Sequence, residues 1–152
     1  MLAASVQVTG NLAFLPDQSG QLKTSALGNS TNATTLATFG ELSGISGISV
    51  HEHYATVSVT NEGLFIFDIS VTPPALIFGG RYLTAGMASD VKVSDQVAYV
   101  ANGDDSVAVV DLFDTTFPVE LPTLTLTGRV VSLDIEAHRL YAACSEEGFV
   151  HH

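Results

Sequence analysis

From Ile48 to Ser70 the chain reads ISVHEHYATVSVTNEGLFIFDIS, three short runs in which apolar and polar residues alternate, parted by His-Glu-His and Thr-Asn-Glu-Gly. A period of two, rich in Val, Ile, Tyr, Phe and Thr and bordered by Gly, Asn, Asp and Ser, predicts strands and not helices. The pattern returns 43 residues later in DVKVSDQVAYVANGDDSVAVVDLF, which begins at Asp90 and needs no gap: Val50 matches Val93, Ala55 Ala98, Val57 Val100, Leu64 Val107 and Asp68 Asp111. The N-terminal SVQVTGNLAFLPDQSGQLKTSAL joins at an offset of 42, with Val8 under Val50, Ala13 under Ala55 and Leu22 under Leu64. The final SLDIEAHRLYAACSEEGFVHH joins at 42 again, with Ile135 under Val93, Tyr141 under Tyr99 and Phe149 under Val107.

Four copies result, at about 1–42, 43–85, 86–128 and 129–152. Copy 2 shows four strands, GISGISV, YATVSV, GLFIFDI and, after the Pro73-Pro74 turn, ALIFGGRY; copy 3 repeats them as SDVKV, VAYVA, SVAVVDL and, after Pro122, TLTLTGR. Four short antiparallel strands every ~40 to 45 residues are the signature of a β-propeller blade. The expected fold is all-β, a single unit of about three and a half to four blades with an incomplete last one. Copy 4 supplies strands a, b and part of c; His151 and His152 stand at the positions of Val109 and Val110 and read as the stump of strand c. Three arrangements fit such a chain: a fragment of a longer protein, a subunit that completes a ring with other copies, or an open half-propeller packed on a neighbour. A two-fold pair would hold about eight blades.

VAYVANGDDSVAVVDL in copy 3, followed by a Pro-containing turn and a strand, resembles the LVIVD repeat, and GLFIFDISVTPPALIFGG in copy 2 is similar. The resemblance implies a β-propeller from a microbial, often secreted or cell-surface, protein, and it brings no catalytic residues with it. An extracellular or cell-surface location rests on this resemblance, since MLAASVQVTG has no basic n-region ahead of a sustained apolar stretch. Copy 1 departs from the pattern, with Ala26 in place of the Asp and a Ser/Thr/Asn-rich GNSTNATT that reads as a long turn.

Composition narrows the partners. Hydrophobic residues make up 46% and charged ones 14%, ample for a packed core. A net charge of −11 repels phosphate backbones and anionic lipid, and apolar runs such as LFIF at 64–67 are far short of the ~20 residues of a membrane helix. Nucleic acid and membrane insertion are therefore not expected. The single Cys144 excludes an internal disulfide framework and, in a strand, reads as a small buried hydrophobe.

Equivalent positions were compared for chemistry. The b–c turns PDQSG, TNEG, NGDDS and SEEG carry Asp17, Glu62, Asp104, Asp105, Glu146 and Glu147 and no Lys or Arg, an acidic arc suited to a cation or a basic protein partner. Turn sterics also call for Asp, Asn and Gly at such places. Asn102, Asp104 and Asp105 offer oxygens to calcium without the D-x-D-x-D spacing of a dedicated loop. The a–b turns TGN, HEH, SDQ and EAH hold Asn11, His53, Gln96 and His138. His51 and His53 would lie on one side of an extended strand as metal ligands, with no third ligand in view. Strand a carries Gln7, Ser49, Lys92 and Asp134 at alternate positions, and Lys92 and Asp134 are expected to form an ion pair across neighbouring blades. SGISG at 43–47 reads as a turn, and Asn29-Ser-Thr31 and Asn32-Ala-Thr34 match the glycosylation pattern. No catalytic set converges, so the expected function is a non-enzymatic structural or protein-interaction module, partnered by another protein or by its own copies, with no cofactor required. The alternative is part of a propeller enzyme, hydrolase- or lyase-like, whose site is completed by blades absent from this chain.

Overall fold

The computed structural model describes residues 7–9, 12–16, 21–26, 29–38, 45–60, 63–71, 75–80, 88–102, 106–145 and 148–151. All regular elements among them are strands, in four sheets. Blade 1 holds β1 (Gln7–Thr9), β2 (Leu12–Pro16), β3 (Gln21–Ala26) and β4 (Asn29–Thr38). Blade 2 holds β5 (Ile45–His51), β6 (Tyr54–Val59), β7 (Gly63–Asp68) and β8 (Ala75–Gly80). Blade 3 holds β9 (Asp90–Ser94), β10 (Val97–Ala101), β11 (Ser106–Asp111) and β12 (Val119–Thr125). Blade 4 holds β13 (Val130–Glu136), β14 (Arg139–Cys144) and β15 (Gly148–His151). Each sheet is an antiparallel meander in which sequence neighbours are spatial neighbours. The first strands β1, β5, β9 and β13 follow one another around the axis.

The alternation that marks the strands also builds the contacts between blades, because successive side chains leave opposite faces of a sheet. Ala98 and Val100 of β10 and Ala108 and Val110 of β11 meet Leu64 and Ile66 of β7, forming a buried layer between blades 2 and 3. Ala101 and Val107, on the other face of blade 3, join Leu133, Leu140, Ala142 and Cys144 of blade 4. Burial fades outward: in β12, five of the seven residues are exposed.

The a–b hairpins all close over two residues, with Thr9 across from Leu12, His51 from Tyr54, Ser94 from Val97 and Glu136 from Arg139. Asp95 (φ 51°) and Gln96 (62°), like Ala137 (49°) and His138 (64°), are left-handed at both central positions, as in the type I′ turn that matches strand twist. In the a–b turn of blade 2 only Glu52 is left-handed (50°).

Three expectations are corrected. GNSTNATT is no long turn, since Asn29 already pairs with Ala26 and β4 runs from there to Thr38, a Thr-rich stretch suited to a strand. The fourth strand of blade 3 starts at Val119, ahead of Pro122; a register shift opposite Val107 to Val109 accommodates the proline, which is tolerated at a bulge on an outer strand. Ile45, Ser46 and Gly47 of SGISG lie inside β5, where Ser46 is the extra residue of a bulge.

Left-handed backbone is disfavoured in residues with a Cβ by ~1–2 kcal/mol, partly offset by glycine's greater chain entropy. Gln96→Gly and His138→Gly should therefore each raise unfolding free energy by roughly 0.5–1 kcal/mol in urea titrations. A loss of stability in both would show that these side chains fix their turns.

Candidate functional site

A first strand pairs with the second along one edge and has no strand along the other, so its inner backbone groups need partners from elsewhere. Side chains of the neighbouring blade supply them. Ser46 Oγ donates to the Ala88 carbonyl at 2.8 Å, and one repeat later Ser89 Oγ donates to the Val130 carbonyl at 3.0 Å. Ser49 Oγ accepts the Val93 N–H at 3.0 Å, and Asp90 Oδ2 accepts the Leu133 N–H at 2.8 Å. Blades 2, 3 and 4 are thus sewn together at their first strands.

Asp90 is the centre of this seam. Its Oδ1 accepts the Val91 N–H at 2.9 Å and lies 3.8 Å from Lys92 Nζ. Asp90 is 9% exposed, and its carboxylate occupies the space that a side chain on Gly47 would need: a Cβ there would stand 2.6 Å from Asp90 Oδ1 and 3.0 Å from the Val91 nitrogen. Burial pushes the Asp90 carboxyl above its ordinary range, against the opposing pull of the Leu133 N–H, Lys92 and the Val91 N–H. Lys92 therefore pairs within its own strand and not with Asp134, whose Oδ1 accepts the Ile135 N–H at 2.9 Å. The sequence reading overlooked Asp90, since an acid before a strand resembles any turn residue.

The other candidates form no common site among the described residues. Asp17, Glu62, Asp104, Asp105, Glu146 and Glu147 lie outside the described residues. Asn102 is buried and closes its turn, its backbone N–H donating to the Ser106 carbonyl and its amide to Ser106 Oγ at 3.1 Å; its Oδ1 has no partner among the described residues. His51 and His53 do not share one side of a strand, because the left-handed Glu52 turns the chain between them. Their rings stand 5.8 and 4.1 Å from that of Tyr54, and burial lowers the pKa of His51. Among the described residues no three His, Cys, Asp or Glu side chains come together as a metal set. Cys144 is buried, as expected.

The repeat aspartates are turn-builders. Asp68 Oδ1 accepts the Ser70 N–H at 2.8 Å and Asp111 Oδ1 accepts the Phe113 N–H at 2.9 Å. Past them, Ile69 N–H donates to the His53 carbonyl and Leu112 N–H to the Gln96 carbonyl, both at 2.8 Å, fastening the end of the third strand to the a–b turn. Residues 45–84 and 85–125, blades 2 and 3, match the LVIVD repeat.

The chain belongs to the LVIVD repeat family.

No curated protein sequence matches this LVIVD-repeat chain. Among solved structures it is similar to the computationally designed protein Ika4, with a TM-score of 0.81 at 8% identity over 99% of this chain and 90% of that one. The computationally designed Ika8 gives 0.74 at 14% identity over 98% of this chain and 45% of its own, and BamB from Moraxella catarrhalis gives 0.69 at 14% over 97% and 42%. The LVIVD-repeat chain thus spans less than half the length of Ika8 and BamB. At such identities the likeness is one of fold, and the fold is the β-propeller.

One further feature escaped the sequence reading. A groove of about 380 Å³ opens between blades 3 and 4 at the a–b turn end. Its walls are Val97, Tyr99, Val109, Leu124, Ile135 and Leu140, and its rim includes Asp95, His138 and Arg139. His138 Nδ1 lies 3.7 Å from Asp95 Oδ2, both largely exposed.

Two outcomes follow from the seam. Gly47→Ala should destabilise by about 1–3 kcal/mol, the usual range for an overpacked interior, because the nearest atoms are a held carboxylate, the buried Ser58 hydroxyl and backbone; an unchanged midpoint of thermal unfolding would show that β5 and β9 can part. A carboxyl whose folded pKa is raised contributes stability that is complete below its unfolded pKa and is lost as pH rises through the folded value. Asp90→Asn should remove that loss, so the stability difference between the two proteins should change with pH above the ordinary aspartate value of about 3.8 and be flat below it. Asp68 and Asp114, whose pKa values are lowered by hydrogen bonds from Ser70 and Thr116, act below that window in both proteins and cancel in the difference.

Proposed function

We propose that this chain is a non-enzymatic structural or protein-interaction module of a cell-surface or secreted protein, which presents its turns to a protein partner or to further copies of itself. The observation that carries this reading is the use made of the inner strands. In a propeller these line the axis, where convergent polar groups would serve catalysis. Here Ser46, Ser49, Ser89 and Asp90 are engaged in hydrogen bonds that join blades, and Lys92 is engaged in an ion pair with Asp90 of its own strand. What is left to recognise a partner is the outer set of turns and the surfaces between blades.

The acidic arc of Asp17, Glu62, Asp104, Asp105, Glu146 and Glu147 is the first such surface in this proposal. The shared meander of the four sheets supports it, since b–c turns of successive blades then leave from one end of the molecule. A net charge of −11 favours a basic partner over an acidic one. Assembly with further copies belongs to the same reading.

The test is binding of an oligolysine peptide and of Ca²⁺ at low ionic strength to the native protein and to a variant with Asp104, Asp105, Glu146 and Glu147 all changed to Ala. Exposed charge pairs contribute ~0.2–1 kcal/mol each, so the variant should bind the peptide about fivefold or more weakly. Equal binding, with circular dichroism unchanged, would remove the acidic arc from the proposal.

A further inference from the structure

The connection between β11 and β12 of blade 3, residues 112–118, reads LFDTTFP and holds two aromatic side chains in water. Phe113 is 80% exposed and Phe117 74%, and Val119, which opens β12, is 57% exposed. The fold gains nothing from apolar side chains left outside its core, and clustered ones mark surfaces that meet a partner.

The turn that carries the rings is fastened from within. Asp111 Oδ1 accepts the Phe113 N–H at 2.9 Å, and Asp114 Oδ1 accepts the Thr116 N–H at 3.0 Å and the Thr116 hydroxyl at 2.6 Å. The Asp114 carbonyl accepts the Phe117 N–H at 3.0 Å. Pro118 is buried, and Val119 pairs back to Asp111, which closes the base of the turn. A turn held in this way loses little freedom on binding, and each ring adds only two rotatable bonds.

Comparison with blade 2 separates the rings from the needs of the repeat. There the same aspartate bond holds the turn, from Ser70 N–H to Asp68, yet Ser70 stands in the place of Phe113 and Pro74 in that of Phe117. Exposure at these positions does not depend on what stands beside the blade. Blade 2 packs against blade 3, and in it Ser70 and Leu76, the equivalents of Phe113 and Val119, are exposed as well, Leu76 by 55%.

The charges around the rings have one sign. Asp114 and Glu120 are exposed and Asp111 is half-buried, while the sequence has no Lys or Arg between Lys92 and Arg129. Hydrogen bonds from the Thr116 hydroxyl and N–H hold the Asp114 carboxyl below its ordinary range, so it keeps its charge. A net charge of −11 sets this surface against a second copy of the chain and against anionic lipid.

We propose that Phe113, Phe117 and Val119 form a docking site for a basic amphipathic segment of another protein, in which apolar side chains alternate with Lys or Arg. Its apolar side chains pack on the rings, and its cations stand over the ring faces or beside Asp114 and Glu120. The inference rests on the interaction reading above and adds a second surface to it. This surface lies at the a–b turn end of blade 3, where Leu112 N–H donates to the Gln96 carbonyl.

The test compares two fluorescent peptides by anisotropy on the intact protein, one of alternating Leu and Arg and one of alternating Gly and Arg with the same length and charge. The native protein should bind the Leu peptide about fivefold or more tightly than the Gly peptide. Phe113→Ser with Phe117→Ser should abolish that preference at unchanged circular dichroism, since Ser is the residue that blade 2 uses in the place of Phe113. Glu120→Lys, on an exposed side chain, should weaken the Leu peptide by roughly two- to fivefold. The proposal is overturned if the native protein shows no preference, or if the preference survives the double replacement. Neutral phosphatidylcholine vesicles are the second probe: sedimentation with them of the native protein but not of the double variant would assign the rings to a bilayer and overturn the protein partner. Changing Asp104, Asp105, Glu146 and Glu147 to Ala should leave the preference intact, so that failure of the rings and failure of the acidic arc are read separately.

Discussion

A strand next to the axis of a radial array has one edge that no other strand can pair, and the structure depends on how that edge is satisfied. Converging sheets bring first strands close without the right geometry for a continuous ladder. Their inward N–H and C=O groups are left facing the next blade, where an unmet hydrogen bond costs about 1–3 kcal/mol. Short side chains resolve this, because Ser46, Ser49, Ser89 and Asp90 each reach across by one bond. Gly47 belongs to the same solution, as its missing side chain is the room in which the Asp90 carboxylate sits.

Much of this architecture was legible because blades repeat. The ungapped match from Val50/Val93 to Asp68/Asp111 marks residues that perform the same task in each copy, and the pairing registers of blades 2 and 3 coincide along it. The legible part ends where a residue's role depends on a neighbouring blade. Lys92 and Asp134 hold equivalent positions, which suggested a pair, yet the buried carboxylate two residues before Lys92 is the nearer charge and takes it. Pro122 read as the start of a strand because a bulge leaves no mark on period-two alternation. GNSTNATT read as a turn from its Ser, Asn and Thr content, whereas its backbone is needed as the fourth strand.

In a repeat array each blade gains its stability from its neighbours. The interface of blades 2 and 3 is closed to water by nine buried residues, from Leu64 through Leu112. The next interface is closed near the axis by Val130, Leu133 and Ala142 but opens toward the a–b turns, where Tyr99, Leu124 and Ile135 are only partly buried. Cohesion therefore falls from the inner strands outward and from blade 3 to blade 4. The surfaces free to exchange partners are the ones that bear least of the fold.

Charge sharpens that division. The chain has five basic side chains, and between Lys92 and Arg129 there is none, while Asp95, Asp104, Asp105, Asp111, Asp114 and Glu120 fall in that interval. Lys92 is drawn inward to Asp90, where it offsets part of the cost of a buried carboxylate. Arg129 lies just before β13, and Arg139 begins β14 on the rim of the groove between blades 3 and 4. In a protein so acidic, Arg139 beside this apolar groove offsets part of the negative field that Asp95 contributes on the same rim.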